Sequence, residues 1–209
     1  MKLQIAIDSM TDTEALKFAK SAQQYADIIE VGTPMIYRYG LDFIKEVDAS
    51  ISQSLLLADA KIVDAGALES RIFLETGADI ITVLGGSSNT TVRDALDQVR
   101  AYQAELMIDL IDIPRDKKID RIRELANLGC NTFCIHRPSD LNDKESLFLP
   151  KISKISKEIY LSVAGGIDSQ NVGRVIDYNP DVIIIGSAIT EHDDPLVQAS
   201  RFREIIENP

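Results

Sequence analysis

The 209-residue sequence is short of basic residues, with 22 lysines and arginines against 33 aspartates and glutamates and a net charge of −11. This balance excludes sequence-independent nucleic-acid binding, because such binding needs a basic surplus to replace the counterions of the phosphate backbone. It is also unsuited to docking on an anionic membrane surface. A small anionic substrate stays compatible with it, since backbone N–H groups and a few local cations can hold a phosphate.

Long apolar runs are missing as well, and no stretch approaches the roughly 18 apolar residues of a membrane span. The first residues enter an alternating strand pattern at once, so we expect no signal peptide. The sequence has two cysteines, Cys130 and Cys134. Both fall beside or inside one predicted strand, too far apart for a disulfide, and we expect reduced core thiols of a cytoplasmic protein.

The sequence contains eight repeats of one pattern. Each repeat is a short apolar run, followed by a polar residue or glycine and then by a stretch in which apolar residues recur with helical period. The predicted strands are Leu3–Ile7, Ile28–Val31, Leu55–Ala58, Ile80–Leu84, Leu106–Leu110, Thr132–Ile135, Ile159–Ala164 and Val182–Ile185. Such runs of Val, Ile and Leu between helices indicate a parallel sheet that is buried on both faces. Eight units favour an α/β fold of the (β/α)8 TIM barrel type over a doubly wound open sheet, which more often has fewer strands.

Helical periodicity between these strands predicts helices over Asp12–Gln24, from about Leu41, around Leu68–Phe73, and over Thr90–Tyr102, Lys118–Leu128, Leu147–Lys157, Ser169–Tyr178 and Pro195–Glu207. No linker or break in composition divides the chain. We therefore expect one barrel domain over residues 1–209.

Polar residues follow the predicted strands, at the end of a TIM barrel where catalysis takes place. Taken singly, an acidic residue after a strand is often only the N-cap of the next helix. As a set, four carboxylates, a lysine and an imidazole on one rim favour a catalytic site. The residues at the strand ends are Asp8, Glu30, Asp59 with Lys61, Gly85-Gly86, Asp109, His136, Gly165-Gly166 and Gly186-Ser187.

The densest polar cluster is Asp59-Ala-Lys61-Ile-Val-Asp64-Ala-Gly66, after the third strand. Asp59 and Lys61 are two residues apart and point to the same side while the chain stays extended, whereas Asp64 lies beyond the turn. Carboxylates around a charged lysine form a polarised site that can stabilise a developing oxyanion. The alternative, a surface ion-pair run on a helix, suits the stretch Arg115–Glu124 better.

This cluster resembles the Asp-x-Lys-x-x-Asp motif of the orotidine-monophosphate-decarboxylase suprafamily. Within it, the chain is most similar to the branch of 3-hexulose-6-phosphate synthases and 3-keto-L-gulonate-6-phosphate decarboxylases. The resemblance runs nearly the full length, and residues 3–8, 27–34, 77–85, 108–111, 163–167 and 186–190 carry it together with the motif.

The resemblance implies a role for each rim residue. Glu30 and Asp59 match carboxylates that hold Mg²⁺, and Asp8 matches an aspartate that binds substrate hydroxyls. Lys61 matches the lysine beside an enediolate. Asp64 matches an aspartate that in this suprafamily reaches into the neighbouring subunit's site, which implies a homodimer with composite active sites. Asp109 and His136 match residues used for proton transfer. The residues that match the binding site of the substrate phosphate are Gly165, Gly166, Gly186 and Ser187.

Residues that differ within the branch favour a lyase of the synthase type. Ile108-Asp109 and Ala164-Gly165-Gly166 look like the synthase, whereas His136-Arg137 looks like the decarboxylase, and the loop that begins at Asp140 departs from the family pattern. The implied reaction is a Mg²⁺-dependent aldol condensation of formaldehyde with ribulose 5-phosphate through a 1,2-enediolate, as in the ribulose monophosphate pathway. The alternatives are a 3-keto-L-gulonate-6-phosphate decarboxylase and a non-catalytic barrel that binds a sugar phosphate.

Overall fold

Eight parallel strands close into a barrel in chain order, and β1 pairs with β8 to complete it. The computed structural model describes residues 1–138, 140 and 158–208. The strands are β1 (Lys2–Ile7), β2 (Ile28–Val31), β3 (Leu55–Ile62), β4 (Ile80–Leu84), β5 (Glu105–Asp109), β6 (Thr132–His136), β7 (Tyr160–Ala164) and β8 (Val182–Ile185). The predicted (β/α)8 TIM barrel is confirmed.

Helices follow the strands around the outside of the barrel. They are α1 (Asp12–Ala22), α2 (Thr33–Ser50), α3 (Gly66–Leu74), α4 (Asn89–Tyr102), α5 (Lys118–Asn127), α6 (Val172–Tyr178), α7 (Ser187–Thr190) and α8 (Pro195–Glu207), with a 3₁₀ turn at Arg115–Lys117. The helix predicted over Leu147–Lys157 and most of the loop from Asp140 lie outside the described residues. Within the described ranges, no helix is both long and apolar enough to cross a membrane.

The start of α2 differs from the prediction of a helix from about Leu41. The helix begins at Thr33 because Gly32 is its N-cap and Pro34 lies in the first turn, where its fixed φ suits a helix. The weak periodicity before Leu41 reflects a kink at Gly40, whose φ of 74° interrupts the helix. The helix therefore starts directly at the rim of the barrel.

The barrel interior is built in layers. Apolar residues from all eight strands form one cluster inside it: Ala6, Ile28, Leu57, Ile80, Met107, Cys134, Ala164, Val182 and Ile184. Alternate residues of a strand face the same side, so the residue two positions after an apolar one lies in the next layer toward the carboxyl end. Within five strands that residue is polar, namely Glu30, Asp59, Thr82, Asp109 and His136, and just beyond β1 it is Asp8. The alternation thus places a polar layer directly above an apolar floor.

At the opposite end of the barrel, three aspartates bind the first residues of neighbouring strands. Each one precedes a strand, and its carboxylate accepts a hydrogen bond from a backbone N–H of an adjacent strand. The bonds are Leu3 N to Asp27 Oδ2 at 2.9 Å, Leu56 N to Asp79 Oδ2 at 2.8 Å and Leu161 N to Asp181 Oδ2 at 2.7 Å. The recurring Asp before an apolar pair is therefore a structural repeat that fixes strand register.

Replacing Asp79 by alanine leaves the N–H of the buried Leu56 without this acceptor. We expect the free energy of unfolding to fall by about 1–2 kcal/mol, because an unmade hydrogen bond at a buried group is costly. Denaturation in urea measures the change. Asp97→Ala, on the exposed side of α4, is the control and should stay within about 0.5 kcal/mol of the parent protein. Equal losses for the two variants would contradict the structural role of Asp79.

Candidate active site

A cavity of about 600 Å³ opens at the carboxyl end of the barrel. The residues that line it include ten of the eleven predicted site residues: Asp8, Glu30, Asp59, Lys61, Asp109, His136, Gly165, Gly166, Gly186 and Ser187. Asp64 is the exception, since it is exposed beyond the end of β3 and does not line its own cavity. The rim predicted from the strand ends is thus brought together around one space.

The ammonium group of Lys61 lies between two carboxylates. Its Nζ contacts Oδ2 of Asp59 in a short ion pair, and it lies 3.3 Å from Oδ2 of Asp109. Burial alone would lower the pKa of Lys61, but the charges of Asp59 and Asp109 outweigh this effect and raise the pKa above its usual value. Lys61 is therefore a fixed positive charge in the cavity at neutral pH.

Asp109 joins this lysine to the imidazole of His136. The His136 Nδ1 lies 2.9 Å from the same Oδ2 of Asp109, and the Ile111 N–H donates to Oδ1 at 2.9 Å. The Asp109 side chain is only 4% exposed, and burial would raise its pKa, but His136 and Lys61 lower it below its usual value. An ionised carboxylate thus orients both the lysine and the histidine ring.

Two threonines that the sequence did not single out hold Asp59. Thr33 Oγ1 donates to Oδ2 of Asp59 at 2.9 Å, and Thr82 Oγ1 donates to Oδ1 at 2.8 Å. The Thr82 hydroxyl also accepts from the backbone N–H of Lys61 at 2.9 Å. Thr82 could have been recognised from its place two residues after Ile80, in the polar layer. Thr33 carries no comparable signal.

The backbone at Lys61 is not extended, contrary to the expectation from sequence. Lys61 has a φ of 46°, and β3 carries a register shift against β4 between Ala58 and Ile62. Asp59 and Lys61 do face the same cavity, as predicted, but a bulge directs them there. Left-handed conformations of non-glycine residues cost of order 1–3 kcal/mol and concentrate at functional sites.

Three carboxylates converge on the β1–β3 side of the cavity. Glu30 is 8% exposed and its Oε2 accepts from Nε2 of Gln4 at 2.6 Å. Burial, together with the charges of Asp59 and Asp8, raises the pKa of Glu30 well above its usual value, and burial and Asp59 likewise raise the pKa of Asp8. Oxygen donors crowded in this way form the ligand set of a hard cation such as Mg²⁺.

The β6–β8 side of the cavity is built from glycines and an arginine. Gly165 and Gly166 have φ values of 102° and 66°. A Cβ on Gly165 would lie 2.2 Å from the Arg137 carbonyl oxygen, and one on Gly166 would lie 1.8 Å from the Arg137 guanidinium. Arg137 Nε also donates to the Gly165 carbonyl at 3.1 Å. The two glycines therefore pack closely against Arg137, and all three residues line the cavity.

Residues 1–202 match the sequence profile described as the orotidine 5′-phosphate decarboxylase / HUMPS family. The chain belongs to this family. It is 34% identical to the 3-hexulose-6-phosphate synthase of Bacillus subtilis (strain 168) over 99% of both chains. The crystal structure of the 3-hexulose-6-phosphate synthase from Salmonella typhimurium is similar with a TM-score of 0.88 and 33% identity, covering 99% of each chain. A 3-keto-L-gulonate-6-phosphate decarboxylase from Vibrio cholerae gives a TM-score of 0.83 and 25% identity, covering 99% of this chain and 97% of that one.

The burial of Glu30 beside the carboxylates of Asp59 and Asp8 predicts that Glu30→Gln raises the free energy of unfolding of the metal-free protein. At neutral pH the Glu30 carboxyl destabilises the fold, because burial and the charges of Asp59 and Asp8 make its pKa higher in the folded state than in the unfolded state. The glutamine keeps the shape and an acceptor for Gln4, so we expect the midpoint of thermal unfolding to rise by a few degrees. The gain should vanish below the ordinary glutamate pKa of 4.5, where both states are protonated.

Thermal unfolding in the presence of a chelator, over a range of pH, measures this effect. Glu46→Gln, at an exposed position of α2, is the control and should not change the midpoint. A Glu30→Gln variant that is no more stable than the parent at neutral pH would show that the carboxylate is not under electrostatic strain.

Proposed function

We propose that this protein is a 3-hexulose-6-phosphate synthase, a lyase that joins formaldehyde to C1 of ribulose 5-phosphate. The observation that carries the proposal is the chain Asp59–Lys61–Asp109–His136, which places a fixed cation beside an oriented imidazole in one cavity. Such a pair suits a reaction that removes a proton next to a carbonyl and stabilises the oxyanion that forms. The full-length similarity to synthases supports the same reaction.

We further propose that Glu30 and Asp59 hold Mg²⁺, with Asp8 beside them. The donor set fits, because three carboxylates share one side of the cavity, and burial, followed by the charges of Asp59 and Asp8, raises the pKa of Glu30. A divalent cation would relieve this repulsion. When bound, Mg²⁺ would supply positive charge to the carbonyl and hydroxyl oxygens of the sugar.

In the proposed reaction, His136 takes a proton from C1 of the sugar. Its Nδ1 is held by Asp109, so Nε2 is the nitrogen that exchanges the proton, and the Asp109 carboxylate stabilises the imidazolium. The Lys61 ammonium stabilises the enediolate oxygen. C1 then attacks the carbon of formaldehyde, and the alkoxide on that carbon takes up a proton, so that protons balance over the cycle.

The phosphate of the substrate would lie on the β6–β8 side. Backbone N–H groups around Gly165, Gly166, Gly186 and Ser187 suit an anion, as the sequence predicted. The Arg137 guanidinium lies against Gly166 and adds a charge in the same region. An arginine gives two parallel hydrogen bonds to a phosphate, which a lysine cannot do.

We also propose the homodimer with composite active sites that the sequence suggested. Asp64 is exposed outside its own cavity, and its neighbours Val63 and Leu68 expose 58% and 52% of their surface. Apolar side chains exposed together favour an interface. Two-fold symmetry would then place each Asp64 near the partner's active site.

The cytoplasm is the proposed location. Both cysteines are buried and free in the structure. Free thiols persist in a reducing compartment, where disulfides are rare.

Turnover assays test the reaction. With Mg²⁺ present, ribulose 5-phosphate and formaldehyde should be consumed in equal amounts, and removal of Mg²⁺ should abolish this. Lys61→Met should lower kcat by about 10²–10³-fold, the usual loss for one oxyanion donor. Lys45→Met, an exposed lysine on α2, is the control and should keep full activity.

The same assays address the decarboxylase, which Arg137 beside His136 favours. Release of CO₂ from 3-keto-L-gulonate 6-phosphate at a higher kcat/KM than formaldehyde fixation would make the synthase assignment wrong. If the protein turns over neither substrate, the synthase and decarboxylase assignments are both wrong, and the result favours the non-catalytic barrel that binds a sugar phosphate.

A complementation experiment tests the composite site. Lys61→Ala and Asp64→Ala chains should each be inactive alone. After subunit exchange at equal mixing, half of the dimers are mixed, and each has one site with both parent residues, so about a quarter of the parent activity should return. No recovery despite demonstrated exchange would show that both residues act within one chain.

A further inference from the structure

Cys134 lies in the cavity and has no part in the proposed reaction. Its side chain belongs to the apolar floor, and the residue is 2% exposed. It pairs in register with Asp109 on β5, and it lies two residues before His136 on the same face of β6. A thiol is thus placed directly below the imidazole and the carboxylate of the site.

The three side chains form a compact donor set. One sulfur, nitrogen or oxygen atom from each of Asp109, Cys134 and His136 lies within 4.8 Å of the other two, in a search of the described residues. Thiolate and imidazole are ligands of Zn²⁺ and similar cations, whereas Mg²⁺ prefers oxygen alone. This set therefore differs in chemistry from the carboxylates on the β1–β3 side.

The spacing is close to that of a zinc site. Ligands of a tetrahedral Zn²⁺ lie roughly 3.3 to 3.6 Å apart, from bond lengths of about 2.0 Å to nitrogen or oxygen and 2.3 Å to sulfur. The His136 Nδ1 and Asp109 Oδ2 are already 2.9 Å apart. A cation between them replaces a hydrogen bond, and only small movements of the side chains are required to include the sulfur.

We propose that Asp109, Cys134 and His136 form an inhibitory binding site for a thiophilic divalent cation of the Zn²⁺ class. Three protein ligands leave a fourth position open to the cavity, as in zinc sites that bind water. The cation binds Nδ1 of His136 in the tautomer that carries the ring proton on Nε2, and it displaces the proton of the Cys134 thiol to solvent. With its proton on Nε2 and the metal on Nδ1, the imidazole has no free nitrogen left to accept a proton from the substrate. The site is distinct from the proposed magnesium site in both its residues and its ligand chemistry.

Two groups oppose the cation and set its affinity. The Lys61 ammonium lies 3.3 Å from Oδ2 of Asp109 and repels a second positive charge. Burial, followed by the charge of Asp109, raises the pKa of the Cys134 thiol well above its usual value, so the thiolate forms only when the metal arrives. Binding is therefore reversible and weaker than in a structural zinc site.

Cobalt is the direct probe, because a thiolate bound to Co²⁺ gives a charge-transfer band in the near ultraviolet and a tetrahedral site gives strong visible bands. The protein, with Mg²⁺ present in excess to fill the oxygen site, is titrated with Co²⁺. We expect both bands, and we expect Zn²⁺ to abolish them. Cys134→Ala and Cys134→Ser should lose the charge-transfer band, whereas Cys130→Ala, which removes the other buried thiol, should keep it.

Inhibition of turnover gives the second measurement. At saturating Mg²⁺, Zn²⁺ should inhibit the parent protein and Cys130→Ala equally, and the Cys134 variants should need at least about tenfold more Zn²⁺, each compared with its own rate without zinc. No cobalt band in the parent protein, or a band that survives in both Cys134 variants, would overturn the site. Equal zinc sensitivity of Cys134→Ser and the parent would overturn the inhibitory role. The cobalt bands need no turnover, so their outcome is independent of the proposed synthase activity.

Discussion

The ion pairs of the partly buried Lys61 ammonium with Asp59 and Asp109 are the interactions on which the rest of the cavity depends. Asp8, Glu30, Asp59 and Asp109 all line this space, and burial raises the free energy of the ionised carboxylates of Glu30, Asp59 and Asp109. Lys61 contacts two of them directly. Buried charges persist in proteins when they are paired and hydrogen-bonded, and removal of one partner leaves an uncompensated charge. The lysine is therefore a structural counter-ion before it is a catalytic group, and its chemistry in the proposed reaction uses a charge that the fold already requires.

Placing that ammonium between carboxylates of two strands requires an irregular β3. A regular strand would continue its pairing with β4, whereas here the register shifts between Ala58 and Ile62 and Lys61 adopts a φ of 46°. The strain is offset locally, because the Thr82 hydroxyl accepts from the Lys61 N–H and donates to Asp59. One hydroxyl thus satisfies the bulged backbone and orients the carboxylate that contacts the lysine. The Lys61 side chain thereby reaches both Asp59 on its own strand and Asp109 on β5.

The barrel and most of the rim could be predicted from the sequence because both follow from local alternation. Apolar runs mark the strands, and the polar residue two positions after a buried one must face the same interior. The prediction was wrong for the start of α2, where Gly32 and Pro34 outweigh a weak periodicity. The roles of Thr33 and Gln4 were not predicted, because each side chain donates a hydrogen bond to a carboxylate on a different strand, Asp59 and Glu30. Which residues of two strands lie side by side cannot be deduced from the local sequence. The metal ligands, the dimer and the helix over Leu147–Lys157 stay predictions.

Charge is unevenly distributed around the cavity, and in the proposed function this lets a protein of net charge −11 accept a phosphorylated sugar. Glu30, Asp59 and Asp8 lie at the ends of β1–β3, whereas Arg137 and the glycine backbone lie at the ends of β6 and β7, and Glu191 lines the cavity beyond β8. The carboxylates at the ends of β1–β3 repel the phosphate group of a sugar phosphate. They attract its carbonyl and hydroxyl end only when a cation is bound between them and the sugar. The division therefore sets the direction of the substrate, and in the proposed function it brings C1 to the carboxylates, Lys61 and His136. In the proposed function, the local placement of a few charges decides whether the sugar phosphate binds, and the net charge of the whole protein does not.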